Sequence, residues 1–150
     1  MRRLGDAARS AAATGGHPVE TTLHRAVDHA ADPVATAALL PSLGLTRVLT
    51  SGGAAAAVDG AAVIAGMAAA APGVQVMAGG GVRPGDVARL AATGAAAVHL
   101  CAKHPVLRTG RAGTGVPLGS ADSSDGAGTH VVTDPDTVAA ARAAADAVRR

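Results

Sequence analysis

The sequence predicts a parallel α/β fold, and three observations carry that prediction. Four short apolar runs each end in polar or glycine residues: 22–28 (T-L-H-R-A-V-D), 47–53 (R-V-L-T-S-G-G), 76–83 (V-M-A-G-G-G-V-R) and 98–102 (V-H-L-C-A). An alanine-rich segment of helical character follows each of the first three, and a longer loop separates the fourth from its helix. The runs recur at roughly 25-residue intervals, the repeat of a unit that must bury its faces against neighbours. Strands alternating with helices in this way form a parallel sheet, whose carboxyl ends are where such folds collect their chemistry.

Each element follows from local signals. Residues 1–14 read as a short helix stopped by Gly15, Gly16 and Pro18. Residues 19–25 read as the first strand. Asp32 ahead of Pro33 supplies an N-cap acceptor and a proline pre-set for a first helical turn. Apolar Val34, Ala37, Ala38 and Leu40 then mark a helix over 33–43, closed by Gly44 despite Pro41 near its end. Residues 45–50 form the second strand and 51–53 its loop. A helix over 54–71, starting near Val58 or Asp59, stops at Pro72 and Gly73. The third strand, 74–78, is short and largely apolar, as a buried parallel strand is. A helix over 84–93 opens on proline and ends at Gly94, and 95–101 is the fourth strand. Residues 105–133, rich in Gly, Ser and Thr without periodicity, read as a long loop. Asp134 or Asp136 caps a last helix running to about residue 149. The chain is thus one domain: helix and linker (1–18), βα units (19–104), loop (105–133) and C-terminal helix (134–150).

Composition narrows the classes. A chain of 150 residues can bury roughly 70% of its unfolded surface, enough for one real core. A closed eight-unit βα barrel takes about 250 residues and rarely fewer than about 200, so four units amount to half of one. Phe, Trp and Tyr are absent while hydrophobic residues make up 49%, so the core must be built from Ala, Val and Leu. Aromatic side chains bury about 150–250 Å² each, so their absence predicts close helix–sheet packing and a modest stability margin. The net charge is +2 and the basic residues are scattered, with small pairs at Arg2 and Arg3 and at Arg149 and Arg150. With no stacking aromatics and no basic run, a nucleic-acid partner is not expected. The single cysteine, Cys101, allows no internal disulfide and fits a reducing cytoplasm. No apolar run reaches the roughly 18 residues of a membrane span, and the first residues lack an apolar signal core. The expectation is a soluble, cytoplasmic protein that touches no membrane.

Candidate chemistry lies at the strand ends. Gly79, Gly80 and Gly81 precede Val82, Arg83 and a helix opening at Pro84. Glycines there let backbone N–H groups face an anion beside a helix start. The structural alternative is a tight βα turn needing positive φ. His99 and Cys101, two apart on a strand, would share a face. An imidazole and a thiolate suit Cu(I) or Zn(II), although two ligands are too few for structural zinc, and His104 lies in the next loop. A small buried cysteine with a hydrogen-bonded histidine is the plainer reading. His24, Arg25 and Asp28 combine a base, a fixed cation and a carboxylate as catalytic candidates, against an Arg25–Asp28 ion pair that merely fixes the loop. Thr50, Ser51, Gly52 and Gly53 offer hydroxyls and N–H groups to an anion, with Ser51 and Gly52 the stronger candidates, but no serine-hydrolase arrangement. His17, His29 and His130 have no recognisable spacing.

Taken in order, the four motifs resemble the C-terminal half of the CutC copper-homeostasis family. That family is similar in T-F-H-R-x-F-D, R-[IV]-L-T-S-G, M-x-G-[GA]-G-[VI] and a last strand bearing histidine. Matching positions are Thr22, His24, Arg25, Asp28, Arg47, Leu49, Thr50, Ser51, Gly52, Met77, Gly79, Gly81 and His99, with V-V-T-D at 131–134 ahead of the last helix. The resemblance runs from about residue 19 to the C-terminus. Leu23 and Val27 stand where the family usually has phenylalanine, and the loop after Pro105 keeps only a faint likeness. The resemblance implies half of a TIM (β/α)8 barrel, about (β/α)4. The family's first four βα units have no counterpart here, and copper-binding cysteines proposed for family members fall in that half, so none carries over.

The function this implies is that of a cytoplasmic copper-homeostasis protein, one that binds copper rather than catalyses, with His99 and Cys101 as the available metal ligands. The alternatives are an enzyme or sensor of a small phosphorylated or anionic ligand held by Gly79, Gly80 and Gly81, and a truncated remnant without activity. The half-barrel is expected to pair with a second copy or with a separate N-terminal half.

Overall fold

The computed structural model describes residues 2–16, 19–107 and 129–148. The helices are α1 (Arg2–Gly15), α2 (Pro33–Leu39), α3 (Ala61–Ala70), α4 (Val87–Ala91) and α5 (Pro135–Val148). The strands are β1 (Thr22–His24), β2 (Arg47–Thr50), β3 (Gln75–Gly79), β4 (Ala97–His99), β5 (Lys103–Leu107) and β6 (Thr129–Thr133). The first four form a sheet in the order β1-β2-β3-β4, every pairing parallel. This is the predicted βα architecture, a partial TIM-barrel sheet whose outer strands β1 and β4 have no further neighbour among the described residues.

Register sorts the side chains. Leu23, Val48 and Val76 stand in one row, and Ala78 and Val98 in the next row on the same face. That face meets the helices: Ala37 and Leu40 from the α2 region, Ile64 and Met67 from α3, and Leu90 from α4 all share its core. The large apolar members of this core are Leu and Val together with Ile64 and Met67, so Ile and Met join the Ala, Val and Leu expected from the composition. Leu23 and Val27 sit inside it, so aliphatic groups do the packing where the family resemblance has phenylalanine. The opposite face is more open. His24 and His99 are exposed, Met77 is half-buried, and Arg47 is bonded to Gln75 and paired with Glu20 at the amino ends.

Several boundaries differ from the sequence expectation, each for a local reason. The expected helix over 33–43 is α2 followed by a separate 3-10 turn, Pro41–Leu43, because Pro41 cannot donate an N–H to continue the ladder. Asp32 caps α2 as expected, accepting from the Ala35 amide at 2.9 Å. The helix expected over 54–71 begins only at Ala61. Residues before it are drawn instead toward β3, the Ala57 amide donating to the Gly80 carbonyl at 2.8 Å. The helix over 84–93 is a 3-10 turn, Pro84–Asp86, leading into α4.

The largest correction concerns the segment read as an unstructured loop from 105 to 133. Its two ends belong to an antiparallel pair, β5 with β6, running from Lys103 opposite Thr133 to Leu107 opposite Thr129. Pro105 inside β5 removes a backbone donor and disguises the strand in the sequence. Residues 108–128, with most of that expected loop, lie outside the described residues, as do His17, Pro18 and residue 149. Asp134, not Asp136, sits at the start of α5, accepting from the Thr137 hydroxyl and from the Asp136 amide at 3.1 Å.

Candidate functional site

The site begins with the chain reversal after β1. The Arg25 amide donates to the Leu49 carbonyl at 2.9 Å, extending the ladder by one residue. Arg25 then adopts φ 44, the only left-handed non-glycine backbone among the described residues. That turn carries the chain into a 3-10 segment, Ala26–His29, and brings Asp28 back beneath the end of β2.

Asp28 is a hub. Its side chain is only 4% exposed and forms an ion pair with Arg25, Nε to Oδ2 at 2.8 Å. It also accepts from the Thr50 hydroxyl, from the Ser51 amide at 3.1 Å and from the Gly53 amide at 3.2 Å. Burial pushes the carboxyl up, but the donors from Thr50, Ser51, Arg25 and Gly53 together outweigh it and hold the group below the ordinary aspartate value. The Ser51 hydroxyl accepts from Arg25 Nη2 at 2.8 Å, while its proton faces the Ala54 carbonyl at 2.7 Å and Asp28 Oδ2 at 3.1 Å. The Gly52 amide donates to Thr50 Oγ1 at 2.9 Å. Among the described residues no buried side-chain polar atom is left without a partner, so this network is closed.

The glycine tract after β3 makes room for what surrounds it. A Cβ on Gly79 would meet Leu49 Cδ1 at 2.6 Å and His99 Cβ at 3.1 Å. Gly80 has φ +118, and a Cβ there would meet Arg25 Nη1 at 2.8 Å. The guanidinium therefore lies across a bare backbone, reachable only because the residue is glycine.

These pieces bound a cavity of about 390 Å³ at the carboxyl ends of the parallel strands. His24 and Arg25 enter from β1, Gly79, Gly80, Gly81 and Arg83 from β3 and its loop, and His99 and Cys101 from β4 and just beyond. Two arginines, Arg25 and Arg83, thus line one cavity. Arg25 is neutralised by Asp28, whereas Arg83 has no carboxylate partner among the described residues. Uncompensated guanidinium charge is a general attractor of anionic groups.

The structure brings together His24, Arg25, Gly79, Gly80, Gly81, His99 and Cys101 from the sequence candidates. Ser51 and Gly52 are buried and outside the cavity lining, and their amides are committed to Asp28 and Thr50. Asp28 likewise stands behind Arg25 and does not line the cavity. The shared strand face expected for His99 and Cys101 ends with β4 at His99; Cys101 follows it as an exposed loop residue, though on the same cavity. At the turn that opens at Pro84, Asp86 accepts from the Arg83 amide at 2.9 Å, so that donor is already engaged. Arg83 itself escaped the candidate set. Its signal was a lone basic residue two positions after a strand-end glycine run. Among the described residues no three His, Cys, Asp or Glu side chains are grouped to hold a metal ion.

Comparison with known proteins supplies the relationship. The family model described as CutC family matches residues 6–104. A Chromobacterium violaceum protein named a family protein CutC is 39% identical over 119 residues, covering 76% of this chain and 48% of the relative. One of the same name from Xylella fastidiosa is 47% identical over 87 residues, covering 57% of this chain and 33% of the relative. A crystal structure named for a copper homeostasis protein CutC, from Streptococcus agalactiae, matches with 26% identity and a TM-score of 0.50, covering 58% of this chain and 43% of that one. The chain therefore spans about half, or less, of the length of these relatives. Because the matched segment holds all four parallel strands and every residue lining the cavity, the chain belongs to the CutC family.

Proposed function

We propose that this chain serves copper homeostasis, the process named for its Streptococcus agalactiae relative, and that its own part is to bind a small anion at the strand-end cavity rather than to catalyse. The observation that carries the anion reading is the convergence of Arg25 and Arg83 with Gly79, Gly80 and Gly81 on one cavity. The Arg25–Asp28 pair contributes directed donors with no net charge, and Arg83 contributes the uncompensated positive charge. Binding rather than catalysis is supported by the buried, fully engaged Ser51 hydroxyl, which has no imidazole partner. Calorimetric titration with inorganic phosphate tests the reading. Saturable binding that Arg83→Ala weakens at least tenfold supports it; no heat from inorganic phosphate or from a phosphate ester at millimolar concentration overturns it.

A second reading, Cu(I) held by Cys101 and His99, is favoured by the presence of both on one cavity wall. Soft thiolate and imidazole donors suit Cu(I). The donor set of this chain does not fit a three- or four-coordinate copper centre, since no third donor is grouped with them among the described residues. A copper site would need a further ligand from outside the described residues or from another chain. Stoichiometric Cu(I) uptake, measured against a competing chelator and removed by Cys101→Ser, distinguishes this reading from the first.

The same half-barrel geometry supports a partner. The outer edges of β1 and β4 have no strand partner among the described residues, so a second copy or an N-terminal half would extend the sheet toward closure.

A further inference from the structure

Resting on the anion reading above, we infer that the cavity takes a small hydroxylated phosphomonoester, its phosphate at the two arginines and its organic part along the β4 side. Arg25 arrives from the end of β1 and Arg83 follows the glycine tract of β3, so cationic donors reach the cavity from two separate strands. Arg25 Nε and Nη2 are engaged by Asp28 and Ser51, and Nη1 is the nitrogen that lies over Gly80. Among the described residues Nη1 has no partner inside the protein. A tetrahedral group with three terminal oxygens can accept from several directions at once, whereas a carboxylate presents one planar edge.

The cavity is larger than a phosphate group requires. At about 390 Å³ it falls at the lower end of the roughly 300–1,000 Å³ range of small-molecule sites. Leu49 from β2 and Leu100 just after β4 add apolar side chains to its lining, which also includes His24 and His99. Each neutral imidazole offers one donor and one acceptor, the pairing that hydroxyl groups use. The chain contains no Phe, Tyr or Trp, so this lining lacks the large rings on which a nucleobase stacks most strongly. Together these select a compact, hydroxyl-bearing phosphate ester over inorganic phosphate and over a nucleotide.

The test is calorimetric titration of the whole chain with four probes: inorganic phosphate, glycerol 3-phosphate, ribose 5-phosphate and AMP. The expected result is that glycerol 3-phosphate or ribose 5-phosphate binds at least tenfold more tightly than inorganic phosphate, with AMP no tighter than inorganic phosphate. Arg83→Ala should weaken the favoured ester at least tenfold with an unchanged melting temperature by circular dichroism. His99→Ala should reduce the ester's advantage over inorganic phosphate. If Arg83→Ala fails to fold, Arg83→Gln carries the same expectation. Equal binding of inorganic phosphate and both esters overturns the ester assignment and leaves the anion reading standing. AMP as the tightest probe also overturns the assignment. Absence of binding by all four overturns both.

Discussion

Asp28 holds Ser51 through its backbone and its side chain together: the Ser51 amide lies 3.1 Å from each carboxylate oxygen, and Ser51 Oγ lies 3.1 Å from Oδ2. The end of β1 and the loop after β2 are thereby locked to one another. The same carboxylate aims the Arg25 guanidinium at the cavity. One group so placed couples stability to site geometry.

The first prediction concerns Asp28→Asn. The amide keeps one acceptor oxygen and turns an N–H₂ group toward donors that need an acceptor. Breaking a buried, charge-assisted network of this kind costs about 3 kcal/mol. Denaturant unfolding followed by circular dichroism should show that loss. A variant within about 0.5 kcal/mol of the parent would show the hub to be energetically idle.

The second concerns pH. The Asp28 carboxyl is held below its ordinary value in the fold, so the unfolded chain binds its proton more readily than the folded one. The stability it contributes is therefore complete above the unfolded value, roughly 4, and is lost as pH falls through the lower folded value. Melting temperatures should fall on acidification below about pH 4, and Asp28→Asn should flatten that dependence. An identical acid limb in both proteins would assign it to other carboxylates.

A third prediction reverses an ordinary trend. Gly→Ala at a compatible backbone commonly stabilises by about 0.4–1 kcal/mol, and Gly60, at φ −87 before α3, has compatible dihedrals. Yet a Cβ there would run into the Ser51 carbonyl, and one on Gly52 into the Gly60 carbonyl. The two backbones cross at these glycines with no room for a methyl group. Gly60→Ala should destabilise by more than about 1 kcal/mol, read from the shift in the denaturation midpoint.

Gly80→Ala probes the cavity floor. Positive φ makes an alanine there strained by about 1–3 kcal/mol, and its methyl group would displace the Arg25 guanidinium. Gly85→Ala, which meets nothing within 4 Å, is the matched control. Phosphate affinity should drop for the first and stay unchanged for the second.

The open edges make a fifth, physical prediction. Sedimentation of the purified chain should show self-association at micromolar concentration, since the outer edges of β1 and β4 have no partner among the described residues of one copy. A strictly monomeric chain that binds an added N-terminal half of a CutC relative would favour that partner instead.

Much of this was legible in the sequence because its signals are local. The Asp32–Pro33 helix start, the glycine stops and the apolar strand runs are each read within a few residues. Strand ends also announced the site, since parallel topology collects them on one side. What stayed hidden depends on distant contacts. Nothing near Ser51 shows that Asp28 will occupy its amide, and nothing near Gly60 shows that Ser51 will pass against it. The pairing of β5 with β6 joins segments more than 20 residues apart and is masked by Pro105. Arg83 reads as an ordinary surface charge until β1 places Arg25 on the same cavity.

A core of Ala, Val, Leu, Ile and Met, in a chain without Phe, Tyr or Trp, also makes this protein optically silent in the near ultraviolet. A single Leu100→Trp substitution on the cavity wall would then be its only fluorophore, and every change in emission would originate at the site. The absent aromatic side chains thus turn the molecule into a dark background on which one introduced indole reports ligand arrival directly.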